Sequence, residues 1–377
     1  MYFKDVVGQE DIKKKLISNI KNNRVSHAQL FLGPEGSGKL AIAIAYARYL
    51  ACKNPGAEDA CGECSSCLKY NKFAHPDLTF FYPIPSRLKG DTPLISKDFA
   101  TQWRNFLDNS PYVSLNEWYK SIDIENKQGI INARDCNEIV KVLSYKSYES
   151  EFKVVIIWMI ERLYHAAAPK LLKILEEPPE KTLFLLVSEN QDLILNTILS
   201  RAQLLKIPRL KDHEVREGLI NQYNCDPVQA DQIAFLADGN FHQALIMLES
   251  DEILENNTNF LREWLRVCYK NDIKEILSYV DNLAKMGRER QKNLLSYALE
   301  VFRQCNLLNY QAGNLVKVHP ESQDFINKFS TILLPQVAVK MTDEFSKAIY
   351  HVERNANPKI LFTDLSIKSG RIMKAKK

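Results

Sequence analysis

Residues 33–40, with the sequence GPEGSGKL, have the glycine and lysine spacing of a phosphate-binding loop. The segment follows a short apolar run at 28–33 and leads into an alanine-rich helical pattern, which is the context that the motif requires. In such a loop the backbone N–H groups and the helix N-terminus surround phosphate oxygens, and the lysine neutralises the β- and γ-phosphates. The residues predicted to contact a nucleotide are Gly33, Pro34, Gly36, Ser37, Gly38 and Lys39.

The same region lacks the groups that would hold Mg²⁺. Leu40 stands where a phosphate-binding loop normally has a Ser or Thr hydroxyl. The strand-like run 152–160 ends at Trp158 and Met159, where carboxylates would be needed for the Mg²⁺ water shell and the attacking water. Glu161 is expected in the first turn of a following helix. We therefore predict no efficient Mg²⁺-dependent hydrolysis, and weak or absent binding of ATP or ADP.

Four cysteines within residues 52–67 form a second chemical group. Their spacing is C-x8-C-x2-C-x2-C, and they are Cys52, Cys61, Cys64 and Cys67. Four thiolates so close in sequence suit a tetrahedral structural Zn²⁺ and leave no open catalytic position. Buried or redox-active thiols are one alternative, and an iron–sulfur cluster is another. A ferredoxin-type cluster would need a further cysteine where Asn71 stands.

The length and composition indicate a globular protein of two or three domains. The chain has 377 residues, of which 45% are hydrophobic and 25% charged, and its net charge of +4 gives no argument for or against nucleic acid. No apolar run approaches the ~20 residues that span a bilayer, and the first residues lack a signal core, so a cytoplasmic location without membrane contact is expected. Because thiols stay reduced there, the cysteines are better read as metal ligands or core thiols than as disulfides.

Two kinds of pattern divide the chain. Up to about residue 200, strand-like runs at 28–33, 152–160 and 182–188 alternate with helical patterns, which predicts a parallel sheet covered by helices. From residue 211 onward we predict helices alone. Their apolar stripes contain Phe260, Leu261, Trp264, Leu265, Cys268 and Tyr269, and then Leu294, Leu295, Ala298, Leu299 and Phe302. The segment 83–125 is polar and contains several prolines, and we predict an insertion there without an assigned role.

The order of these motifs resembles the clamp-loader subunits of bacterial DNA polymerase III, which belong to the AAA+ superfamily. The motifs are VVGQE, SHAQLFLGPEGSGK, the four-cysteine insertion, LLKILEEPPEKTLFLLVSEN and ILSRAQLLKI. They cover roughly residues 1–250, and the remaining residues match by length and helical character. The chain is more similar to the delta-prime type than to the ATP-hydrolysing gamma/tau type.

The resemblance implies three domains. An α/β P-loop domain of the AAA+ type would occupy residues 1–205 and carry the zinc module at 52–67. A small helical lid would follow at 206–252, and an all-α collar for oligomerisation at 253–377.

The resemblance also implies that the chain is not an autonomous ATPase, although it would be a component of the DNA polymerase III holoenzyme. Family ATPases have an Asp–Glu pair at the positions of Trp158 and Met159, and an arginine at the position of His242. A neutral imidazole is a poor replacement for a guanidinium on phosphate. The polar residue of the family's sensor strand corresponds to about Ser188, so this chain agrees with the family pattern at that position.

Arg201, in the sequence Ser-Arg-Ala at 200–202, stands where the family has Ser-Arg-Cys. In that family the arginine enters the ATP site of the neighbouring subunit and stabilises the transferring phosphoryl group. A surface salt bridge is the alternative reading. The implied partners are the gamma/tau ATPase subunits, the delta subunit, the sliding clamp and, through the complex, primed DNA. Two other functions stay open: an active gamma/tau-like ATPase, and a stand-alone nucleotide- or zinc-binding interaction protein.

Overall fold

The computed structural model describes residues 1–85, 94–124, 129–248, 251–310, 312, 320–354 and 356–374. It divides into two compact units, residues 1–245 and 246–377. The predicted lid at 206–252 and collar at 253–377 stay predictions. Within the described residues, none of the helices has the length and apolar character needed to cross a bilayer.

A five-stranded parallel sheet forms the centre of the first unit. Its strands are β1 (Ala28–Leu32), β2 (Leu78–Phe81), β3 (Lys153–Trp158), β4 (Thr182–Ser188) and β5 (Gln203–Lys206), and their spatial order is β2-β3-β4-β1-β5. All four neighbouring pairs are parallel, with Leu30 of β1 beside Leu186 of β4 and Leu204 of β5. Strands β3 and β4 are buried along their whole length, because a parallel sheet is covered on both faces. The predicted parallel sheet is confirmed.

The local sequence explains features of two of the helices in this unit. The helices are α1 (Glu10–Lys21), α2 (Lys39–Ala51), α3 (Ser65–Asn71), α4 (Ala100–Asn109), α5 (Leu115–Ser121), α6 (Ala133–Ser144), α7 (Ala168–Glu176), α8 (Asn196–Leu199), α9 (Asp212–Tyr223), α10 (Pro227–Leu236) and α11 (Phe241–Leu248). Helix α2 is buried on nearly every side, which explains its many small alanines. Helix α7 ends at Glu176 because Pro178 and Pro179 cannot continue it.

The second unit is helical throughout its described residues, as predicted. Its helices are α12 (Asp251–Lys270), α13 (Ile273–Lys285), α14 (Arg288–Asn309), α15 (Pro320–Ser330), α16 (Pro335–Glu353) and α17 (Pro358–Lys374). The apolar stripes supply its core, in which the Trp264 indole donates to Ser366 Oγ at 2.9 Å. Tyr269 differs from the prediction, because it lies at the margin of the stripe with 47% of its surface exposed.

The segment 83–125 differs from its reading as a polar insertion. In its described part, α4 and α5 carry Trp103 and Trp118, whose ring centroids are 5.0 Å apart. Tyr82 stacks on Trp103 at 4.1 Å, and Trp158 at the end of β3 lies 5.2 Å from the same ring. Two of these large side chains, Trp103 and Trp118, lie on helices whose other residues are mostly polar, so the average polarity of the segment hides an aromatic core. This cluster packs against the carboxyl end of β3.

Candidate functional site

The phosphate-loop motif lies at the carboxyl end of β1, directly before α2. Gly36 and Gly38 adopt φ values of 71° and 83°, a left-handed backbone that favours glycine. A Cβ atom at Gly36 would lie 1.9 Å from Asn240 Oδ1, so the loop also needs glycine there for space. The sequence motif thus folds into a tight strand-to-helix turn at the edge of the sheet where ligands of α/β folds bind.

Lys39 is engaged within the chain itself. Its ammonium group donates to Glu189 Oε1 at 2.8 Å and to the carbonyl oxygen of Pro34 at 3.1 Å. Only 5% of the Lys39 side chain is exposed, against 27% for Glu189. Glu189 directly follows β4, whose carboxyl end lies beside that of β1. The cation that would meet a nucleotide phosphate is therefore already paired with a carboxylate.

Other groups of the first unit pack against the loop. The N–H of Phe241 donates to the carbonyl oxygen of Gly36 at 3.2 Å, at the start of α11. The Tyr112 ring lies 3.2 Å from the position that a Cβ atom of Gly38 would take, and its hydroxyl accepts a bond from the Val7 N–H at 2.7 Å. Ser37 Oγ is buried without a hydrogen-bond partner. The loop is thus packed by the chain's own side chains on more than one side.

The end of β3 carries no carboxylate. Trp158 and Met159 are 1% and 2% exposed, and Met159 adopts a φ of 56° that turns the chain into a short 3-10 helix at Ile160–Arg162. Glu161 in that turn reaches back toward β4, where its Oε1 accepts a bond from the Glu189 N–H at 2.9 Å. Its Oε2 is buried without a partner, and burial raises the pKa of the Glu161 carboxyl.

His242 lies in α11, one residue after the contact between Phe241 and Gly36. Its side chain is buried, and Nε2 lies 3.6 Å from Glu117 Oε2 on α5. Leu40 is also buried, at 3% exposure. No sequence pattern predicted that Glu117 would face His242 or that Glu189 would face Lys39.

Arg201 lies at the opposite edge of the sheet from the phosphate loop. It precedes Gln203, which pairs with Gln29 at the start of β1, whereas the loop begins after Leu32. At ~3.3 Å per residue this separates the two by roughly 13 Å along the strands. The guanidinium is about one-third exposed, forms an ion pair with Glu176 at the end of α7, and donates to the Thr197 carbonyl oxygen at 2.8 Å. Arg201 is therefore not assembled with Lys39 in one site.

The four clustered cysteines come together, although they span two helices and a loop. Their sulfur atoms all lie within 4.8 Å of one another, with 3.4 Å between Cys52 and Cys61 and 4.0 Å between Cys61 and Cys67. A tetrahedral ion with Zn–S bonds of ~2.3 Å would place its sulfur ligands about 3.8 Å apart. The Cys67 N–H also donates to Cys64 Sγ at 3.4 Å. The donor set and its spacing fit a metal ion.

The remaining cysteines are buried, as predicted for core positions, and they are Cys136, Cys225, Cys268 and Cys305. They lie apart from the four-cysteine cluster in the sequence and in the described structure.

Residues 8–211, more than half of the chain, match the family described as DNA polymerase III, delta subunit. DNA polymerase III subunit tau of Bacillus subtilis is 25% identical over 96% of this chain and 60% of its own length. Subunit delta' of the same organism is 28% identical over 81% of this chain and 79% of its own length. This chain therefore spans less than two thirds of the tau relative.

Among solved structures, a DNA polymerase III gamma subunit-related protein of Thermotoga maritima superposes with a TM-score of 0.41 at 14% identity. That superposition covers 96% of this chain and 99% of the other. The matched residues include the loop at 33–38, the clustered cysteines and Arg201. On this match, the chain belongs to the DNA polymerase III delta-subunit family of clamp-loader AAA+ proteins.

Proposed function

We propose that this chain is a clamp-loader subunit that does not hydrolyse ATP itself and donates Arg201 to the ATP site of a neighbouring subunit. The observation that carries the proposal is the separation of two cations. Lys39 is paired with Glu189 inside the chain, and Arg201 lies at the opposite edge of the sheet. Hydrolysis by the neighbour would then occur only when the two subunits are correctly docked.

The loop at 33–38 is a poor site for ATP or ADP. An entering phosphate would have to displace the Glu189 carboxylate from Lys39, and that carboxylate would then face the negative charge of the phosphate. Asn240 and Tyr112 also occupy the space beside Gly36 and Gly38. Binding of either nucleotide is therefore weak or absent.

Magnesium has no adequate ligand set here. Leu40 and Trp158 present hydrocarbon and indole where oxygen ligands are required, and both are buried. Glu161 is the carboxylate nearest to Trp158 along the chain, but its Oε1 already accepts a bond from the Glu189 N–H. Because burial also favours the protonated form of Glu161, it is a weak ligand for a divalent cation.

Arg201 can exchange its present partner at small cost. Glu176 is about half exposed and Arg201 about one-third, and ion pairs so exposed contribute roughly 0–1 kcal/mol. The bond from Nη1 to the Thr197 carbonyl oxygen keeps the side chain anchored at the end of α8. Supplied to an ATP site in trans, a guanidinium accelerates hydrolysis by about 10³–10⁵-fold.

The further parts of the proposal concern assembly. The helices at 206–252 form a lid and those at 253–377 a collar, through which the chain joins gamma/tau ATPase subunits and a delta subunit. The complex opens a sliding clamp and places it on primed DNA, with any DNA contacts directed to phosphates and shared among subunits. Cys52, Cys61, Cys64 and Cys67 hold a structural Zn²⁺, supported by the mutual distances of their sulfur atoms.

Reconstitution with the partner ATPase subunits and clamp tests the assignment of roles. We expect Arg201→Ala to reduce DNA-stimulated ATP hydrolysis and clamp loading sharply, with assembly intact by gel filtration. Lys39→Ala is the matched control, because it removes a cation from the loop that is already paired with Glu189. Loss of loading in Lys39→Ala together with normal loading in Arg201→Ala would contradict the proposal.

A second candidate function is an active ATPase of the gamma/tau kind, which the alignment with tau over 96% of the chain favours. The purified chain would then hydrolyse ATP alone, and Lys39→Ala would abolish the activity. Failure to co-purify with clamp-loader subunits, in contrast, would favour a stand-alone nucleotide- or zinc-binding interaction protein.

A further inference from the structure

Arg48 is a buried cation whose hydrogen bonds are incomplete. It lies on α2 with 1% of its surface exposed, and its Nε and Nη2 atoms are buried without a hydrogen-bond partner. Nη1 donates to Asn71 Oδ1 at 2.7 Å, and the guanidinium lies 3.4 Å from the centre of the Tyr2 ring. An arginine side chain does not lose its proton in a protein, so the charge is permanent. Such a group is costly to bury without an anion beside it.

The described residues supply no carboxylate that forms an ion pair with Arg48. Nη1 also donates to the carbonyl oxygen of Met1 at 3.4 Å, which is a neutral acceptor. The amide oxygen of Asn71 is neutral, and the Tyr2 ring offers only its π face. Among the described residues, Arg48 is therefore buried beside neutral hydrogen-bond acceptors and an aromatic face, without a carboxylate in contact.

The four-cysteine cluster lies next to this cation. Arg48 lies in the last turn of α2, and Cys52 is the residue that directly follows the helix, four positions later. Asn71, which accepts the bond from Arg48, lies on α3 four residues after Cys67, one helical turn away. Tyr2, which stacks on Arg48, has its hydroxyl 2.6 Å from where a Cβ atom of Gly62 would lie. The guanidinium is thus packed between the chain's first residues and the cysteine loop.

A zinc ion bound by four thiolates carries a net charge of about −2, because the thiolates outnumber the positive charges of the ion. We propose that Arg48 is the charge partner of this metal–thiolate cluster, donating an N–H···S hydrogen bond to Cys67 from one of its two unpartnered nitrogens. This inference rests on the zinc binding proposed above. Arg48 is then a positioning residue, which stabilises the loaded cluster and is itself compensated by it.

The chain's first residues are held to the same loop by independent bonds. Asp59 accepts bonds from the backbone N–H groups of Phe3 and Lys4, at 3.2 and 2.9 Å. The Tyr49 hydroxyl donates to the Gly56 carbonyl oxygen at 2.9 Å. The loop thus keeps a framework that does not depend on Arg48, and a variant at that position is expected to fold.

The experiment compares zinc binding by the full-length wild-type chain with that of Arg48→Met and Arg48→Lys. Methionine keeps most of the side-chain length without the charge, whereas lysine keeps the charge without the planar fork of donors. Lys53→Met is the matched control, because it removes a positive charge beside Cys52 from an exposed position. Affinity is measured by competition with a chromogenic chelator, and the melting temperature is measured with and without zinc.

We expect one zinc per wild-type chain and a zinc affinity about 10- to 100-fold lower in Arg48→Met, as for other residues that support metal ligands. Arg48→Lys should fall between, and Lys53→Met should match the wild type. Zinc should raise the melting temperature of Arg48→Met less than that of the wild type, because the zinc-free variant no longer buries an uncompensated charge. If Arg48 had a purely structural role, Arg48→Met would have lower melting temperatures with and without zinc, and both would fall by the same amount.

Equal zinc affinity and equal zinc-induced melting shifts in the wild type and Arg48→Met would overturn the inference while leaving the zinc site intact. A wild-type chain that binds no zinc would instead overturn the zinc site itself, and the role of Arg48 with it. If Arg48→Met fails to fold, the test uses Arg48→Lys instead. The thiolate-to-metal absorption of its Co²⁺-loaded form is then compared with that of the Co²⁺-loaded wild type. A band and a zinc affinity that are both unchanged from the wild type would then contradict the expected intermediate behaviour of Arg48→Lys and overturn the role of the guanidinium.

Discussion

Breaking the ion pair between Lys39 and Glu189 should cost far more than breaking an exposed pair of the same length. The two charged atoms are 2.8 Å apart, with 5% and 27% of the side chains exposed. Removing one partner of a buried pair costs about 3–5 kcal/mol. Because Glu189 is partly exposed, solvent screening reduces this cost, and we expect a coupling free energy of ~2 kcal/mol between Lys39 and Glu189. The pair Lys181–Glu151 is the control, with an equal distance of 2.8 Å but exposures of 60% and 64%, and we expect ~0.5 kcal/mol or less from it.

Each coupling is measured by a double-mutant cycle in urea unfolding, using Lys39→Met, Glu189→Ala and the double variant. Tryptophan fluorescence reports mainly on the first unit, which contains Trp103, Trp118 and Trp158 of the four tryptophans in the chain. A coupling at Lys39–Glu189 no larger than that of the exposed control would refute the reasoning. Lys39 would then be available to a phosphate, and the loop at 33–38 would not be the poor nucleotide site that we propose.

Three further predictions concern the same unit. Isothermal titration should give a dissociation constant for ATP above ~1 mM that does not change with Mg²⁺, since Leu40 and Trp158 offer no oxygen ligand; a micromolar, Mg²⁺-dependent value would contradict this. Burial raises the folded-state pKa of Glu161, so its contribution to stability is present below the unfolded-state pKa and is lost as pH rises through the folded-state value. The free energy of unfolding of Glu161→Gln, measured in urea, should therefore rise relative to that of the wild type between pH 4 and pH 8. A difference between the two proteins that does not change with pH would contradict this. Trp103→Ala should lower the free energy of unfolding by about 3–5 kcal/mol, because it empties the aromatic cluster beside β3; a loss below ~1 kcal/mol would mean that the cluster does not support the strand.

The sequence was enough to predict elements with strong local signals. The β-branched run of β3, the glycine spacing of the loop and the prolines that end α7 each act over a few residues. The short spacing of the clustered cysteines likewise limited them to one small region, and their sulfur atoms lie together. Apolar periodicity located the core of the second unit, apart from the half-exposed Tyr269 at its margin.

Such local patterns could not predict contacts between residues that are far apart in the sequence. Lys39 and Glu189 are 150 positions apart, and their pairing depends on β1 and β4 lying side by side. Composition likewise concealed the core beneath α4 and α5, because charged residues on the outer faces outnumber Trp103 and Trp118. The proposed contact between Arg48 and the cysteine loop had one sequence signal, the position of Arg48 four residues before Cys52. That spacing becomes informative only once burial of Arg48 is known.

Whether Arg201 acts on a neighbouring ATP site is tested by the rate of ATP hydrolysis at a single site of a reconstituted clamp loader. In this complex, every ATP site except the one adjoining this chain is inactivated in the partner subunits, and single-turnover hydrolysis is measured with primed DNA and clamp. With Arg201→Ala we predict a rate lower by about 10³-fold or more, with assembly unchanged. An Arg201→Ala complex that hydrolyses ATP at the wild-type rate would contradict the account.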